Sequence, residues 1–206
     1  MSYLGFSRRW AAKLAETHQL DGEKQSVLAY AIEIITLNML NVIFALLLGW
    51  LLGVFWNTLA CLLTIAAFRY NAGGGHSESP WRCGLMTIII FPLLALAAGY
   101  VSTWSGLYTD ILSLAAIGLG LVFVEIYAPV EDPKAPIVSP ARRKRLKNWA
   151  RLIMVLLALI IIGLRFGGGG KAAEIQMCLT LSLLWVSFNI TPWGHRLWCF
   201  IDGIKI

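Results

Sequence analysis

Charge is scarce in this chain: Asp, Glu, Lys and Arg make up 14% of the 206 residues, while 58% are hydrophobic and the mean hydropathy is +0.72. A soluble domain is usually about 45–50% apolar, so that class is excluded and an integral membrane protein is expected. The N-terminus lacks an uninterrupted apolar stretch, since Arg8, Arg9, Lys13, Glu16, Asp21, Glu23 and Lys24 punctuate the first residues. A secretory signal followed by a soluble domain is thereby excluded. Cysteine is limited to Cys61, Cys83, Cys178 and Cys199, with no CxxC and no spacing that reads as a disulfide framework. Cys61 and Cys178 lie within apolar runs, where a free cysteine behaves as a small hydrophobe. No HExxH is present and no second His/Cys cluster accompanies His76, which leaves a zinc peptidase without support; neither a metal nor a cofactor is expected. The GGGG run at 167–170 lacks the Lys-Ser/Thr ending of a phosphate cradle and reads as a flexible turn.

What the chain has instead is a series of apolar runs, each close to the roughly 20 helical residues that cross a hydrocarbon core. They predict an all-α, polytopic membrane protein of about six spans, at 28–50, 54–69, 83–101, 107–127, 149–166 and 172–190, within a single domain covering 1–206. The second span is marginal in length, so a tilted, re-entrant or short crossing stays open. Ahead of them, Leu4, Phe6, Trp10, Leu14 and Ala15 form one face of an interfacial helix in the segment 1–26. With the N-terminus inside, every Lys and Arg except Arg165 and Lys171 falls on the cytoplasmic side. That asymmetry places residues 69–83, the loop 128–148 and the C-terminal tail in the cytoplasm. The tryptophans, among them Trp50, Trp56, Trp81, Trp104, Trp149 and Trp193, fall near span ends, as interfacial anchors do.

One polar island interrupts this pattern: Arg69 to Cys83, RYNAGGGHSESPWRC. Ser79-Pro80 is a helix-start signal, with Ser at the N-cap and Pro at the first helical position. Cys83 then occupies the fourth position of the helix. An unperturbed thiol is mostly protonated at neutral pH, and the positive end of the helix dipole, aided by Arg82, favours the nucleophilic thiolate. The unsatisfied N–H groups of the first turn are natural donors to an oxyanion. His76, on the preceding loop, is placed to serve as general base. Gly73, Gly74 and Gly75 give the backbone access to positive φ and allow close approach of a peptide chain. Glu78 lies between the two residues and either orients the imidazole or is a solvated loop carboxylate. From the residues alone, a glycine-rich turn that contains a histidine, with Cys83 simply packed in its helix, is an equal alternative.

Two further features carry chemistry. The loop 128–148 combines prolines with a basic cluster, Arg142, Arg143, Lys144, Arg145 and Lys147, which reads either as anchoring against anionic lipid or as a contact surface for an acidic partner. Glu33 is an ionisable residue on the first span, beside Asn38 and Asn41. Such groups at depth are costly, and a helix-to-helix hydrogen bond and contact with a substrate are its two readings. Glu125 is expected at the cytoplasmic interface, and His18 and His195 at the surface.

The order R-x3-G-G-x-H-x6-C formed by Arg69, Gly73, Gly74, His76 and Cys83 resembles the signature of the accessory gene regulator B (AgrB) family. The stretch Ala128-Pro129 to Asp132, then Pro136 and the basic run to Lys147, adds to the resemblance, which covers nearly the whole chain. The resemblance implies a membrane cysteine endopeptidase that trims a short AgrD-type propeptide and helps make a cyclic signalling peptide. Cys83 is then the nucleophile, His76 the base, and Arg69, Gly73 and Gly74 motif positions. It implies a homodimer in a bacterial cytoplasmic membrane, with no nucleic-acid partner. Gly75 and the Pro80-Trp81 pair depart from the simple motif. A small transporter or exporter and a non-enzymatic scaffold are the competing classes. Against the former, the spans show no evident internal repeat and few deep polar residues to line a path.

Overall fold

A computed structural model describes residues 5–18, 20–75, 77, 79–131 and 137–204. All secondary structure among them is helical: α1 (Gly5–His18), α2 (Gly22–Leu51), α3 (Phe55–Ala72), α4 (Pro80–Val101), α5 (Gly106–Tyr127), α6 (Pro140–Phe166), α7 (Gly170–Asn189) and α8 (Pro192–Gly203). The chain divides into two units, residues 1–44 and 45–206.

In the first unit α1 buries Ser7, Ala11 and Ala15. It turns Phe6, Trp10 and Leu14 outward, so Ala15 lies on the opposite side from the expected apolar face. Asp21 starts α2: the Lys24 N–H donates to its carboxylate at 2.8 Å and the Lys24 ammonium lies 3.1 Å away. These contacts, the backbone bond first, hold the Asp21 carboxyl below its ordinary pKa. Glu33 is 4% exposed, and Ser7 Oγ donates to it at 3.4 Å.

The second unit is a set of helices arranged around α7, which packs against α3, α4, α5 and α6. Its interior mixes a few large apolar side chains, Phe68, Met154, Ile161, Met177 and Leu183, with many small or weakly polar ones: Cys61, Ala95, Ala98, Ala116, Cys178, Thr180 and Ser182 are all fully buried. Leu63, Leu93, Leu114 and Leu159 face outward instead. The share of small residues at the contacts suits lipid as solvent, where exposed leucine costs nothing and helices associate through small residues that let backbones approach. Some polar groups of different helices pair with each other. Gln176 donates to Ser113 at 3.1 Å, and the Ser113 and Thr180 hydroxyls lie 3.1 Å apart.

Cross-links sort the helix ends into two groups. At one end Arg165 donates to Asp110 at 2.6 Å and Asn57 to Glu174 at 3.3 Å. At the other, the Val130 N–H donates to the Ala72 carbonyl at 2.9 Å, the Gly75 N–H to the Asn189 carbonyl at 3.0 Å, and Lys147 to the Glu125 carbonyl at 2.6 Å. The predicted island therefore sits where α3, α4, α5, α6 and α7 present their Cys83-side termini.

By length and composition, α2, α4, α5 and α6 are able to cross a membrane, and a fifth crossing is added if α7 and α8, bent by 81°, count as one span. The expected number of about six is thus not reached by this measure. The difference falls on α3: its 18 residues carry Asn57 and Thr58 near one end and Arg69 and Asn71 near the other, which dilutes its hydropathy. The expected loop 128–148 also differs. Ser139-Pro140 opens α6, and the Ser139 hydroxyl accepts the Arg142 N–H at 3.4 Å, so the basic cluster is helical.

Candidate active site

Helix α3 ends at Ala72 because Gly73 adopts φ +73°, a conformation that only glycine takes without strain, while its N–H still donates to the Arg69 carbonyl at 3.0 Å. A Cβ at Gly73 would collide with the Val130 carbonyl, and one at Gly75 would lie 2.6 Å from the Trp198 ring. The close approach that the glycines permit is thus to this protein's own chain, on two sides. Arg69 is exposed.

Beyond the glycines, His76 and Glu78 lie outside the described residues. Between them Ser77 is buried; its hydroxyl donates to the Asp202 carboxylate and accepts the Ser79 N–H at 3.1 Å. Ser79 is extended and Pro80 is the first helical residue, as the dipeptide predicts, although the Ser79 side chain makes no capping bond. Cys83 is the fourth residue of α4 and is partly exposed. Its N–H donates to the Ser79 carbonyl at 3.1 Å. Pro80 has no N–H, so neither of these two first-turn residues offers a backbone donor.

Arg82 behaves differently from expectation. Its guanidinium donates to the carbonyls of Ile201, at 2.9 Å, Asp202 and Ile204, and lies 3.8 Å from the Asp202 carboxylate. The charge expected to assist Cys83 is therefore committed to the C-terminal end of α8, where exposed carbonyls and the negative end of the helix dipole attract a cation. Helix α8 itself opens on Thr191-Pro192, with the Thr191 hydroxyl accepting the Gly194 N–H at 3.3 Å. Trp198 Nε1 donates to the Asn189 side chain at 2.7 Å. His195 and Cys199, both exposed, place Nε2 and Sγ 3.6 Å apart one turn along the same helix.

Of the basic cluster, Arg143 pairs with Glu131, and Lys147 lies 3.6 Å from the Glu125 carboxylate. Glu125 is held chiefly by Arg151, at 2.5 and 2.7 Å. Arg142, Lys144 and Arg145 are exposed and have no ion pair among the described residues. The sequence reading did not single out Ser77, Asn189, Trp198 or Asp202. The Thr191-Pro192 start was the available signal for α8, since it repeats the Ser79-Pro80 device.

These observations define a helical, multi-pass membrane protein with a partly exposed cysteine at the start of an apolar helix, behind a glycine-terminated one. The chain belongs to the accessory gene regulator B family, whose profile matches residues 7–190. Among its relatives, an AgrB-like protein 2 from Clostridium perfringens (strain 13 / Type A) is 23% identical over 96% of this chain and 95% of its own. The accessory gene regulator protein B of Staphylococcus aureus (strain bovine RF122 / ET3-1) is 30% identical over 74% of this chain and 78% of its own. No solved structure matches the chain.

Proposed function

We propose that this protein is a membrane cysteine endopeptidase that processes an AgrD-type propeptide into a cyclic autoinducing peptide for quorum sensing. The observation that carries the reading is the placement of Cys83: a partly exposed thiol in the first turn of α4, following a connection in which Gly73 and Gly75 pack closely against the rest of the chain. Membership of the family agrees with it.

In this mechanism His76 takes the Cys83 proton, and the thiolate attacks the scissile carbonyl. The N–H groups of Trp81 and Arg82, at the positive end of α4, receive the developing oxyanion. The tetrahedral intermediate collapses as the C–N bond breaks. His76 passes its proton to the departing amine, the acidic tail leaves, and the rest of the peptide stays on Cys83 as a thioester. A side-chain thiol or hydroxyl of the same peptide then displaces Cys83, which takes up a proton. The new bond closes the ring and regenerates the enzyme. With a thiol, one thioester is exchanged for another at little free-energy cost. A membrane-edge site limits competing hydrolysis.

Arg142, Lys144 and Arg145, exposed at the start of α6, supply a surface for the acidic tail. The concentration of Lys and Arg on the Cys83 side of the spans favours an orientation with this loop inside the bacterial cytoplasmic membrane, and the family reading adds that the enzyme works as a homodimer. Intact-mass analysis of protein in nanodiscs mixed with AgrD-type propeptides tests the reading. A hydroxylamine-labile adduct on Cys83 with release of the tail, both absent in Cys83→Ala, is expected. Cleavage that persists in Cys83→Ala would refute it.

A further inference from the structure

Helix α8 lies beyond the matched stretch 7–190 and is nevertheless tied to the cysteine loop at two places, through Trp198 and through its C-terminal end. Near its start, the Gly75 N–H donates to the Asn189 carbonyl at 3.0 Å, and the side chain of that asparagine accepts from Trp198, whose ring bars any side chain at Gly75. At its end, the carbonyls of Ile201, Asp202 and Ile204 all receive Arg82. The Asp202 carboxylate is the point where the two lines of contact meet. It accepts from Ser77 and faces Arg82 at 3.8 Å. Ser77 follows His76 directly in the chain, and Arg82 precedes Cys83 directly. One carboxylate therefore holds the chain neighbours of both members of the pair.

We propose that α8 is a clamp on the active-site loop and that Asp202 is its positioning residue, fixing the His76 segment relative to Cys83 through Ser77 and Arg82. The proposal rests on the reading of Cys83 as the nucleophile and adds to it a residue outside the signature. Its physical basis is that acyl transfer requires base and thiol within hydrogen-bond reach. A loop with three consecutive glycines at 73–75 has little intrinsic stiffness. The restraint comes instead from α8, whose contacts hold Gly75, Ser77 and Arg82. Both Arg82 and Asp202 are about one-fifth exposed, so their pairing is shielded more than an open surface contact. The arrangement also explains why Arg82 turns away from the thiol. A cation beside Cys83 is exchanged for a strap across the end of α8.

The test uses the full-length protein in nanodiscs. The rate at which iodoacetamide labels Cys83, located by peptide mass, is compared in wild type, Asp202→Asn and Asp202→Ala. Steady-state cleavage of an AgrD-type propeptide is followed alongside. Cys61 and Cys178, both fully buried, report unfolding if they become labelled. The expected result is slower Cys83 labelling in both variants and a kcat lower by roughly 10²-fold in Asp202→Ala, the effect of a misplacement of about 1 Å, with KM unchanged. Asp202→Asn keeps the shape and an acceptor for Ser77 while losing the ion pair, so its loss is smaller; it carries the test if Asp202→Ala exposes Cys61. Unchanged labelling overturns the proposal. So does faster labelling, which would mean that α8 merely covers the thiol. A wild-type protein that cleaves nothing refutes the endopeptidase reading separately, since the labelling comparison needs no substrate.

Discussion

Helices α4 and α6 begin with the same dipeptide and end up in opposite surroundings. At Ser79-Pro80 the serine hydroxyl makes no cap, Ser77 accepts the Ser79 N–H instead, and Arg82 straps the helix start to α8. At Ser139-Pro140 the serine caps its own helix, and the next turn exposes Arg142, Arg143, Lys144 and Arg145. Four cations at the positive end of a helix dipole repel one another and the dipole, an arrangement relieved by an anionic neighbour. Proline presets φ in both cases and sacrifices only an N–H that a first turn does not use. What differs is the tertiary environment: one start is strapped to α8 through Arg82 and carries a thiol, the other is open and carries charge. The first suits bond-making chemistry and the second suits docking.

The comparison breaks most sharply at the thiol. Cys83→Ala is expected to reduce propeptide cleavage to background, and His76→Ala to reduce kcat by roughly 10²–10⁴-fold, the usual contribution of a general base. Arg142→Ala, at the open start, is expected to leave kcat unchanged. Tail release measured by mass spectrometry at saturating propeptide checks all three. A large loss of kcat in Arg142→Ala would erase the distinction between the two helix starts.

Close packing on this side is testable at the glycine that ends α3. Gly73 and Gly168 both have positive φ, at +73° and +65°, but a Cβ at Gly73 meets the Val130 carbonyl whereas one at Gly168 meets nothing. Alanine in the left-handed region costs about 1–2 kcal/mol by itself. Gly168→Ala is expected to cost no more than that. Gly73→Ala should exceed it, because Gly73 at ψ −148° lies in a region essentially reserved for glycine and the Val130 carbonyl, whose own N–H is tied to the Ala72 carbonyl, must move as well. Thermal unfolding in detergent, with both variants in one series, reads the difference. Equal costs would mean that the approach of Val130 is easily relaxed.

Much of this architecture is legible in the sequence. The predicted spans overlap α2 to α7, with ends set by polar residues and by Ser79-Pro80, whose helix starts at the expected residue. The misses have identifiable causes. The basic run 142–147 has the composition of a loop, although Ser139-Pro140 repeats the helix-start signal of α4. Helix α8 was read as tail, although Thr191-Pro192 repeats it again. Hydropathy is blind to short amphipathic helices, and charge clusters at helix starts run against dipole preference, so the usual patterns gave no warning. Of the site, the local part was legible: Gly73 ends one helix and Cys83 sits in the first turn of the next. The contacts of Ser77 and Arg82 with Asp202 span more than a hundred residues of chain, and no local pattern encodes them.

The open start of α6 gives a smaller effect. Reversing Arg142, Lys144 and Arg145 to Glu leaves Arg143 with Glu131 and Lys147 with Glu125, so α6 keeps its own contacts. Exposed ion pairs contribute about 0.2–1 kcal/mol each. Together the three changes are expected to raise KM by roughly tenfold at low ionic strength, and the gap should close as salt shortens the Debye length toward about 3 Å at 1 M. If cleavage survives with no added salt dependence, the cluster serves membrane orientation alone.

The smallest effect separates the two caps. Ser139→Ala removes an observed acceptor for the Arg142 N–H, and loss of such a cap costs typically about 1 kcal/mol. Ser79→Ala removes a hydroxyl that caps nothing, so it is expected to be nearly neutral, while Ser77→Ala removes both an acceptor for Ser79 and a donor to Asp202. Thermal unfolding in detergent should therefore rank Ser77→Ala as the most damaging, then Ser139→Ala, with Ser79→Ala close to wild type. The reverse order for the first and last would place the cap of α4 on Ser79 after all. The start of that helix would then be held as α6 is, by its own N-cap serine, and not by Ser77 and the C-terminal helix.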